Sequence, residues 1–227
     1  MSNQIDLSVI ILTYNESLHI KRCINSVKKY VREVIVVDSY STDKTLNICK
    51  KLKVRIYKNK FINQAIQMNW VLKNINIKSK WIFRIDADEF IEKDSLNNIG
   101  NIIKSNKNIS GIIIKRKVKF FNKIINYGLT SPHKTLRIWK KGKGKYPILD
   151  VDEQAKVTGK VFLSSSTIID HNLKSFKWWI NKHKNYSKRE AISYLKSKQR
   201  KNFFLSEDAI NKKNKYNIYY KAPILIR

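Results

Sequence analysis

Two aspartates, Asp86 and Asp88, follow directly after an apolar run of strand length, Trp81–Ile85. Because side chains alternate between the two faces of an extended chain, carboxylates two residues apart can project from the same side. Mg²⁺ and Mn²⁺ take oxygen ligands and commonly bridge one or two carboxylates to substrate phosphates. The pair therefore predicts a metal site. A second interpretation stays open, since Glu89 and Glu92 follow closely and acids also favour the N-terminus of a helix.

A further acid, Asp38, ends a second apolar run, 33–38. At such a position a carboxylate can accept hydrogen bonds from a ribose hydroxyl or a base N–H, and it can equally form a turn. Asp43 is expected to cap the helix that follows. The sequence has no GxGxxG motif after the first strand and no GxxxxGK[ST] motif, which argues against NAD-dependent enzymes and P-loop NTPases.

Strand and helix patterns alternate over residues 1–100. Strands are expected at 7–13, 33–38, 54–57 and 81–85, and helices between them, one over 62–76 and the first capped by Asn15. Single helices between strands imply a parallel sheet with right-handed crossovers, in which ligands bind at the carboxyl ends of the strands. The polar segments that follow the strands would meet at that edge, which predicts an α/β fold with a nucleotide site.

The second half has a different pattern. Shorter strands are expected at 111–121, 124–129, 135–139 and 161–169, and a basic loop over 140–145 is expected to cover the acceptor. From Lys174 onward the pattern is helical and rich in aromatic side chains and lysine. We expect one domain over 1–172, with a nucleotide-binding half at 1–100 and an acceptor-side half at 101–172, and a basic helical extension over 173–227.

The chain is strongly basic: its 227 residues include 47 Lys and Arg against 17 Asp and Glu, a formal net charge of +30. Residues 1–100 hold 17 basic and 10 acidic side chains, a net of +7, so +23 falls in residues 101–227. A lysine-rich compositional background explains part of this charge, and attraction to a nucleic acid, an anionic lipid surface or a phosphorylated glycolipid is the functional interpretation. No zinc-finger, RNP or helix-turn-helix signature is present, so no specific nucleic-acid partner is expected.

The aromatic and basic extension suits the plane of an anionic membrane interface, or equally a helix packed on the catalytic domain. Cys23 and Cys49 fall in predicted helices, which fits a reducing compartment. No apolar run approaches the roughly 20 residues that span a bilayer, and no signal peptide is visible. We therefore expect a cytoplasmic location, with peripheral contact at the inner face of the cytoplasmic membrane.

Three segments together resemble family 2 glycosyltransferases of the GT-A fold: Leu7–Glu16, Val36–Asp43 and Asp86–Glu89. Lys134–Gly142 and His171 are similar to the lipopolysaccharide or lipooligosaccharide core glucosyltransferase-like subgroup. The resemblance covers about residues 6–190. It implies an inverting transfer of a hexose from a nucleotide-sugar, with UDP-sugars favoured, to a glycan or glycolipid acceptor in lipopolysaccharide-core or surface polysaccharide biosynthesis. A sugar nucleotidyltransferase and a basic nucleic-acid-binding protein are the alternatives.

The resemblance also implies roles for individual residues. Those that would contact the nucleotide-sugar are Thr13, Tyr14, Glu16, Asp38, Gln67, Asn69, Asp86 and Arg137. Asp86 and Asp88 would bind Mn²⁺ or Mg²⁺, and His171 would be a third metal ligand or a diphosphate contact. Inversion by single displacement needs a base on the acceptor hydroxyl. Asp152 and Glu153 are the candidates, because they lie in the only acidic cluster between residues 95 and 169 and Glu153 matches the subgroup's glutamate.

Overall fold

The structure, a computed structural model, describes residues 4–127, 131–147 and 155–199. The strands are β1 Ile5–Thr13, β2 Val31–Asp38, β3 Arg55–Lys58, β4 Trp81–Asp86, β5 Glu89–Ile91, β6 Ile109–Phe120, β7 Lys123–Ile125, β8 His133–Lys140, β9 Gly144–Lys145, β10 Lys156–Val157 and β11 Lys160–Asp170. The helices are α1 Ile20–Val27, α2 Thr45–Lys51, α3 Gln64–Asn74, α4 Lys93–Ser105 and α5 Phe176–Gln199. The chain divides into two units, Met1–Ser175 and Phe176–Arg227.

A nine-stranded sheet forms the first unit, in the order β3-β2-β1-β4-β8-β6-β11-β5, with β7 beside β6. Strands β1 to β4 are parallel to one another. Because β8 pairs antiparallel with both β4 and β6, and β11 pairs parallel with β6, these last two strands also run in the direction of β4. The prediction of a mostly parallel central sheet flanked by helices is confirmed.

Apolar side chains cover both faces of the sheet. Val9 and Ile11 of β1 lie in one core cluster, against α1 and α4, whereas Ile10 lies in the other, against α3. A strand that is buried on both faces reads as a continuous apolar run, which is the pattern of residues 7–13. Each fully buried Ile or Val contributes about 1.5–3 kcal/mol relative to exposure, so the two layers hold the strand ends in place.

The helix-capping predictions have different outcomes. Asn15 does not cap α1, which begins at Ile20; its φ is +52°, and its side-chain oxygen accepts a hydrogen bond from the backbone N–H of Thr42 at 2.8 Å. A contact with a separate loop has therefore replaced the expected local one. Asp43 accepts a hydrogen bond from the N–H of Thr45, the first residue of α2, at 2.9 Å, so it does satisfy the start of that helix.

The basic loop at residues 140–145 does not lie over the acceptor side. Lys140 pairs with Trp81, at the start of β4, whereas Asp86 ends that strand. The Lys141 ammonium donates to the carbonyl of Ile77 at 2.8 Å, which fixes the loop at the amino edge of the parallel strands. The prediction was wrong because β8 runs antiparallel to β4, and this direction cannot be read from local pattern.

A one-residue bulge interrupts β8 at Arg137. Ile112 of β6 pairs with Ile138, but the next residue, Ile113, pairs with Leu136, so Arg137 has no partner in the ladder. A bulge re-aims the side chain of the extra residue and is common beside active sites. Here it turns the Arg137 guanidinium toward the end of β4.

A buried carboxylate pins the amino ends of four strands. The oxygens of Glu33 accept hydrogen bonds from the Ser8 hydroxyl and the Lys78 N–H, both at 2.6 Å, and from the Arg55 guanidinium. Burial would raise the pKa of Glu33, but these donors outweigh it and lower the pKa below its ordinary value. The carboxylate therefore stabilises the fold above the pKa of the unfolded state, and this contribution is lost as the pH falls through the lower folded-state pKa.

We expect Glu33→Gln to reduce the free energy of unfolding by about 2 kcal/mol at pH 7, because a buried, hydrogen-bonded charge pair is broken. The difference from the unsubstituted protein should shrink as the pH falls from the pKa of the unfolded state through the lower folded-state pKa of Glu33, where Glu33 itself becomes protonated. Urea denaturation at several pH values measures both. Asp6→Asn is the control, since the Asp6–Arg32 pair is 38% and 53% exposed and should contribute under about 1 kcal/mol. Equal losses in the two variants would contradict the assignment.

Candidate active site

The loops that follow β1 and β2 are joined to each other at the carboxyl edge of the sheet. The backbone N–H of Asn15 donates to the Ser41 hydroxyl at 2.8 Å, and that of Glu16 donates to the Thr45 hydroxyl at 2.9 Å. Ser17 N–H donates to Asp43 at 3.1 Å. Because the bonds cross between the two loops, the segments predicted to meet at this edge do meet, and each fixes the other's shape.

Asp38 lies fully buried at the end of β2. Its two carboxylate oxygens accept from the backbone N–H and the hydroxyl of Ser41, at 2.8 and 2.5 Å, so the turn interpretation holds in this structure. Two aromatic side chains flank this turn at the surface, since Tyr14 is 57% and Tyr40 56% exposed. The hydroxyl of Thr13, buried between the two loops, has no hydrogen-bond partner within the described residues. The turn thus presents two aromatic rings at the surface.

The two amides predicted to hold the nucleotide brace loops instead. Gln67 is buried; its amide accepts from Asn59 at 2.7 Å and donates to the Ser39 hydroxyl at 3.3 Å. Asn69 exchanges two hydrogen bonds with the backbone of Tyr146, at 2.7 and 3.1 Å. In this conformation Gln67 supports the segments that carry Ser39 and Asn59, and Asn69 supports the segment that carries Tyr146.

Four charged side chains form a network beneath the Asp86–Asp88 segment. The Arg84 guanidinium contacts one oxygen of Asp86, and Arg137 donates to the other at 3.3 Å. Arg137 also donates to Glu89 at 2.8 Å, and the second oxygen of Glu89 accepts from the backbone N–H of Asp86 at 2.8 Å. The two guanidinium groups thus hold both carboxyl groups, while the Asp86 side chain stays 33% exposed.

Burial and the neighbouring charges shift the two carboxyl groups in opposite directions. For Asp86 burial acts upward, but Arg84 and Arg137 dominate and hold its pKa well below the ordinary value. Burial raises the pKa of Glu89 to about 8, against the pull of Arg137 and with the repulsion of Asp86 adding to it. Asp86 therefore stays ionised at neutral pH. Glu89, with a pKa of about 8, exchanges its proton close to neutral pH.

Arg137, predicted to contact the nucleotide-sugar, is in this structure a buried ion-pair partner of Asp86 and Glu89. Sequence reasoning missed Arg84 and Glu89 as members of the site. A signal for Arg84 existed, because a charged residue interrupts the apolar run Trp81–Ile85 and a buried charge needs a partner.

Asp88 differs from its neighbours in having no ion pair within 4 Å among the described residues. Asn172 donates to its Oδ2 at 3.0 Å, and Oδ1 has no hydrogen-bond partner in the part of the chain that the structure describes. A half-exposed carboxylate with one unused oxygen fits Mg²⁺ or Mn²⁺, which are often held by one or two carboxylates together with substrate phosphates and water. Asp86 fits less well, because both of its oxygens are taken by guanidinium groups. Over residues 4–127, 131–147 and 155–199, no three His, Cys, Asp or Glu side chains converge as a metal site.

His171 lies beside Asp88, since its backbone N–H donates to the Asp88 carbonyl at 3.1 Å. Arg22 of α1, which sequence reasoning missed, donates to His171 Nδ1 at 2.9 Å and to the carbonyl oxygens of both His171 and Asp88. A guanidinium has only donors, so Nδ1 is an acceptor and the proton of the neutral ring is on Nε2. In this arrangement Nε2–H is a donor, which fits the diphosphate contact better than the metal ligand.

Glu16 is engaged within the protein. It contacts His19 Nδ1 at 2.5 Å and Lys174 Nζ at 2.7 Å, and these bonds lower its pKa although burial opposes them. His19 Nε2 accepts from the backbone N–H of Leu173 at 2.8 Å, so its proton lies on Nδ1, toward Glu16. Glu16 and His19 thus tie the loop after β1 to the segment after β11.

Asp152 and Glu153, the predicted catalytic bases, lie outside the described residues and remain predictions. Among the described helices, none has both the length and the apolar composition that crossing a membrane requires.

We expect Arg137→Met to lower the free energy of unfolding by about 3–5 kcal/mol, because it removes a buried guanidinium that is hydrogen-bonded to both Asp86 and Glu89. The double variant Arg137→Met/Glu89→Gln should be more stable than the single one, since it removes a carboxyl group whose raised pKa costs stability at neutral pH. Chemical denaturation of the double-mutant cycle measures the coupling. Arg116→Met, which breaks the more exposed pair with Asp170, should cost about 1 kcal/mol or less. Simple additivity of the two single changes would contradict the network.

Three proteins named as glycosyltransferases are similar to this chain. Over 100 residues the chain is 38% identical to the glycosyltransferase SunS of Bacillus subtilis, a match that covers 41% of this chain and 22% of that protein. It is 27% identical over 220 residues to an uncharacterized glycosyltransferase of Rickettsia prowazekii, with 90% and 73% covered. The lipopolysaccharide core biosynthesis glycosyltransferase LpsC of Rhizobium meliloti is 27% identical over 157 residues, with 65% and 56% covered.

The fold has a counterpart among solved structures. Staphylococcus aureus TarS 1–349, in complex with UDP-GlcNAc, superposes with a TM-score of 0.55 at 20% identity, covering 74% of this chain and 59% of that one. The family model for glycosyl transferase family 2 matches residues 8–152, which is more than half of the chain. The chain belongs to glycosyltransferase family 2.

Proposed function

We propose that the protein is an inverting glycosyltransferase that moves a hexose from a UDP-sugar to a glycan or glycolipid acceptor. The observation that carries this proposal is the position of Asp88. It lies at the carboxyl edge of a parallel sheet, beside the joined loops of β1 and β2, with one carboxylate oxygen unused. Family membership favours this function over a sugar nucleotidyltransferase or a nucleic-acid-binding protein.

The nucleoside would bind at the turn held by Asp38. Exposed Tyr14 and Tyr40 supply faces on which a base stacks. Asp38, Gln67 and Asn69 would act here by fixing the loops. That TarS, a protein of similar fold, was solved with UDP-GlcNAc supports a UDP-sugar as the donor.

Asp88 would hold Mn²⁺ or Mg²⁺. The bound ion would neutralise charge on the leaving nucleoside diphosphate, which is the Lewis-acid role of such ions. Asp86, held between Arg84 and Arg137, would fix the backbone that carries Asp88. His171 would donate its Nε2–H to a diphosphate oxygen, in the orientation that Arg22 imposes on its ring.

Displacement at the anomeric carbon needs a general base on the acceptor hydroxyl, and we propose Asp152 or Glu153 for this role. The similarity to LpsC supports an acceptor in lipopolysaccharide-core or surface polysaccharide synthesis. The basic second half and the exposed apolar side chains Phe176 and Ile180 of α5 support a cytoplasmic protein in peripheral contact with an anionic membrane.

The metal assignment is tested with Asp88→Asn. Replacing a residue that only hydrogen-bonds to a metal ligand typically weakens metal binding about 10–100-fold. Loss of Asp88, a direct ligand, should therefore weaken Mn²⁺ binding in the presence of UDP by at least about tenfold. Calorimetry measures the affinity, and a thermal-shift series with UDP-, GDP- and dTDP-sugars identifies the nucleotide. The matched control is Asp94→Asn, because Asp94 is an exposed carboxylate of α4. Unchanged Mn²⁺ affinity in Asp88→Asn would refute the assignment.

The base is tested by comparing Asp152→Asn with Glu153→Gln. The variant that lacks the base should transfer sugar about 10²–10⁴-fold more slowly, with an unchanged dissociation constant for UDP, because the base acts on the acceptor. The other variant should stay close to the unsubstituted rate. If both transfer sugar normally, the base lies elsewhere.

A further inference from the structure

Four lysines form a row on one face of the acceptor-side strands. Lys115, Lys117 and Lys119 alternate along β6, so their side chains leave the same face, and Lys134 of β8 is the register partner of Lys115. This face is the one on which Ile113, two residues before Lys115, pairs with Leu136 above the core against α3. We call these four residues the lysine row.

The lysine row is unfavourable for the fold. Side chains directly opposite in an antiparallel pair lie about 4.5–5.5 Å apart at Cβ, and like charges there are destabilising. None of the four ammonium groups has an ion pair within the described residues. By contrast, Arg116, which projects to the opposite face of β6, is paired with Asp170 at 2.7 Å. Where this strand has a structural cation it therefore also has a carboxylate, whereas the lysine row has none among the residues that the structure describes.

The lysine row also has a definite position relative to the candidate active site. Strand β6 runs in the same direction as β4. The row therefore leads, from Lys115 to Lys119, toward the carboxyl edge that carries Asp88. Lys117 pairs with Ile169 in the register of β6 with β11, which brings Lys119 level with His171. The unpaired positive charge thus begins next to the proposed diphosphate contact and extends away from the nucleoside turn.

We infer that the lysine row is a binding site for a phosphate group of the acceptor, a phosphomonoester or phosphodiester attached to the glycan or lipid that receives the sugar. The inference rests on the proposed function and adds a substrate class to it. Several ammonium groups on flexible stems surround a phosphate well, because each can donate to a different oxygen of a group that carries up to about two negative charges. An anion there would also relieve the repulsion between Lys115 and Lys134.

The test uses Lys115→Gln/Lys134→Gln in the full chain, with Lys93→Gln/Lys104→Gln, two exposed lysines of α4, as the charge-matched control. Inorganic phosphate is titrated at constant ionic strength, with and without saturating UDP and Mg²⁺, and thermal stability is recorded. The unsubstituted protein and the control should be stabilised by phosphate also when UDP is bound. The lysine-row variant should bind phosphate about tenfold more weakly, while UDP raises its melting temperature normally.

Four results would overturn the inference. Phosphate could stabilise the lysine-row variant as well as the control, or saturating UDP could abolish the phosphate effect, which would make the row part of the donor site. Without phosphate the variant could melt well below the unsubstituted protein, which would make the lysines structural. Finally, the variant could lose only co-sedimentation with phosphatidylglycerol vesicles, which would assign the row to membrane docking. Failure of UDP to bind any of the proteins would refute the proposed function separately.

Discussion

The ion network of Arg84, Asp86, Glu89 and Arg137 is the interaction on which the candidate active site depends. It joins a parallel strand to an antiparallel one and places two carboxylates under the segment that ends at Asp88. Burying Arg84, Arg137 and Glu89 is tolerable because each has a partner within the network. Asp88, beside this network, has no ion pair among the described residues, and this is where a cation is useful.

The rest of the site is organised by contacts between segments distant in sequence. Asn15 and Ser41 join two loops, Arg22 orients His171, and His19 holds the backbone of Leu173. Each of these side chains is buried or half-buried and bonded to another segment of the chain, so the loops have few alternative shapes. A site that binds a charged, flexible donor benefits from such preorganisation, because less ordering is required on binding.

The sheet and the approximate place of the site could be predicted from the sequence, because the apolar runs and the polar segments that follow them are local patterns. The run at 7–13 is buried on both faces, as its continuous apolar character indicates. The role of Arg137 could not be predicted, because it depends on a bulge in a strand whose neighbours are distant in sequence. The role of His19 could not be predicted for the same reason: its partner, Leu173, lies on a segment that only folding brings near.

The bulge in β8 also determines which changes of chain length this strand can accept. Removing one residue between Leu136 and Ile138 would let the ladder with β6 continue without interruption, so the sheet itself would be no worse paired. The residue removed is Arg137, so the guanidinium that contacts Asp86 and Glu89 would be lost with it. Insertions and deletions in β8 are therefore expected to be rarer among active relatives than substitutions on its outer face, although a shorter β8 would make the more regular strand.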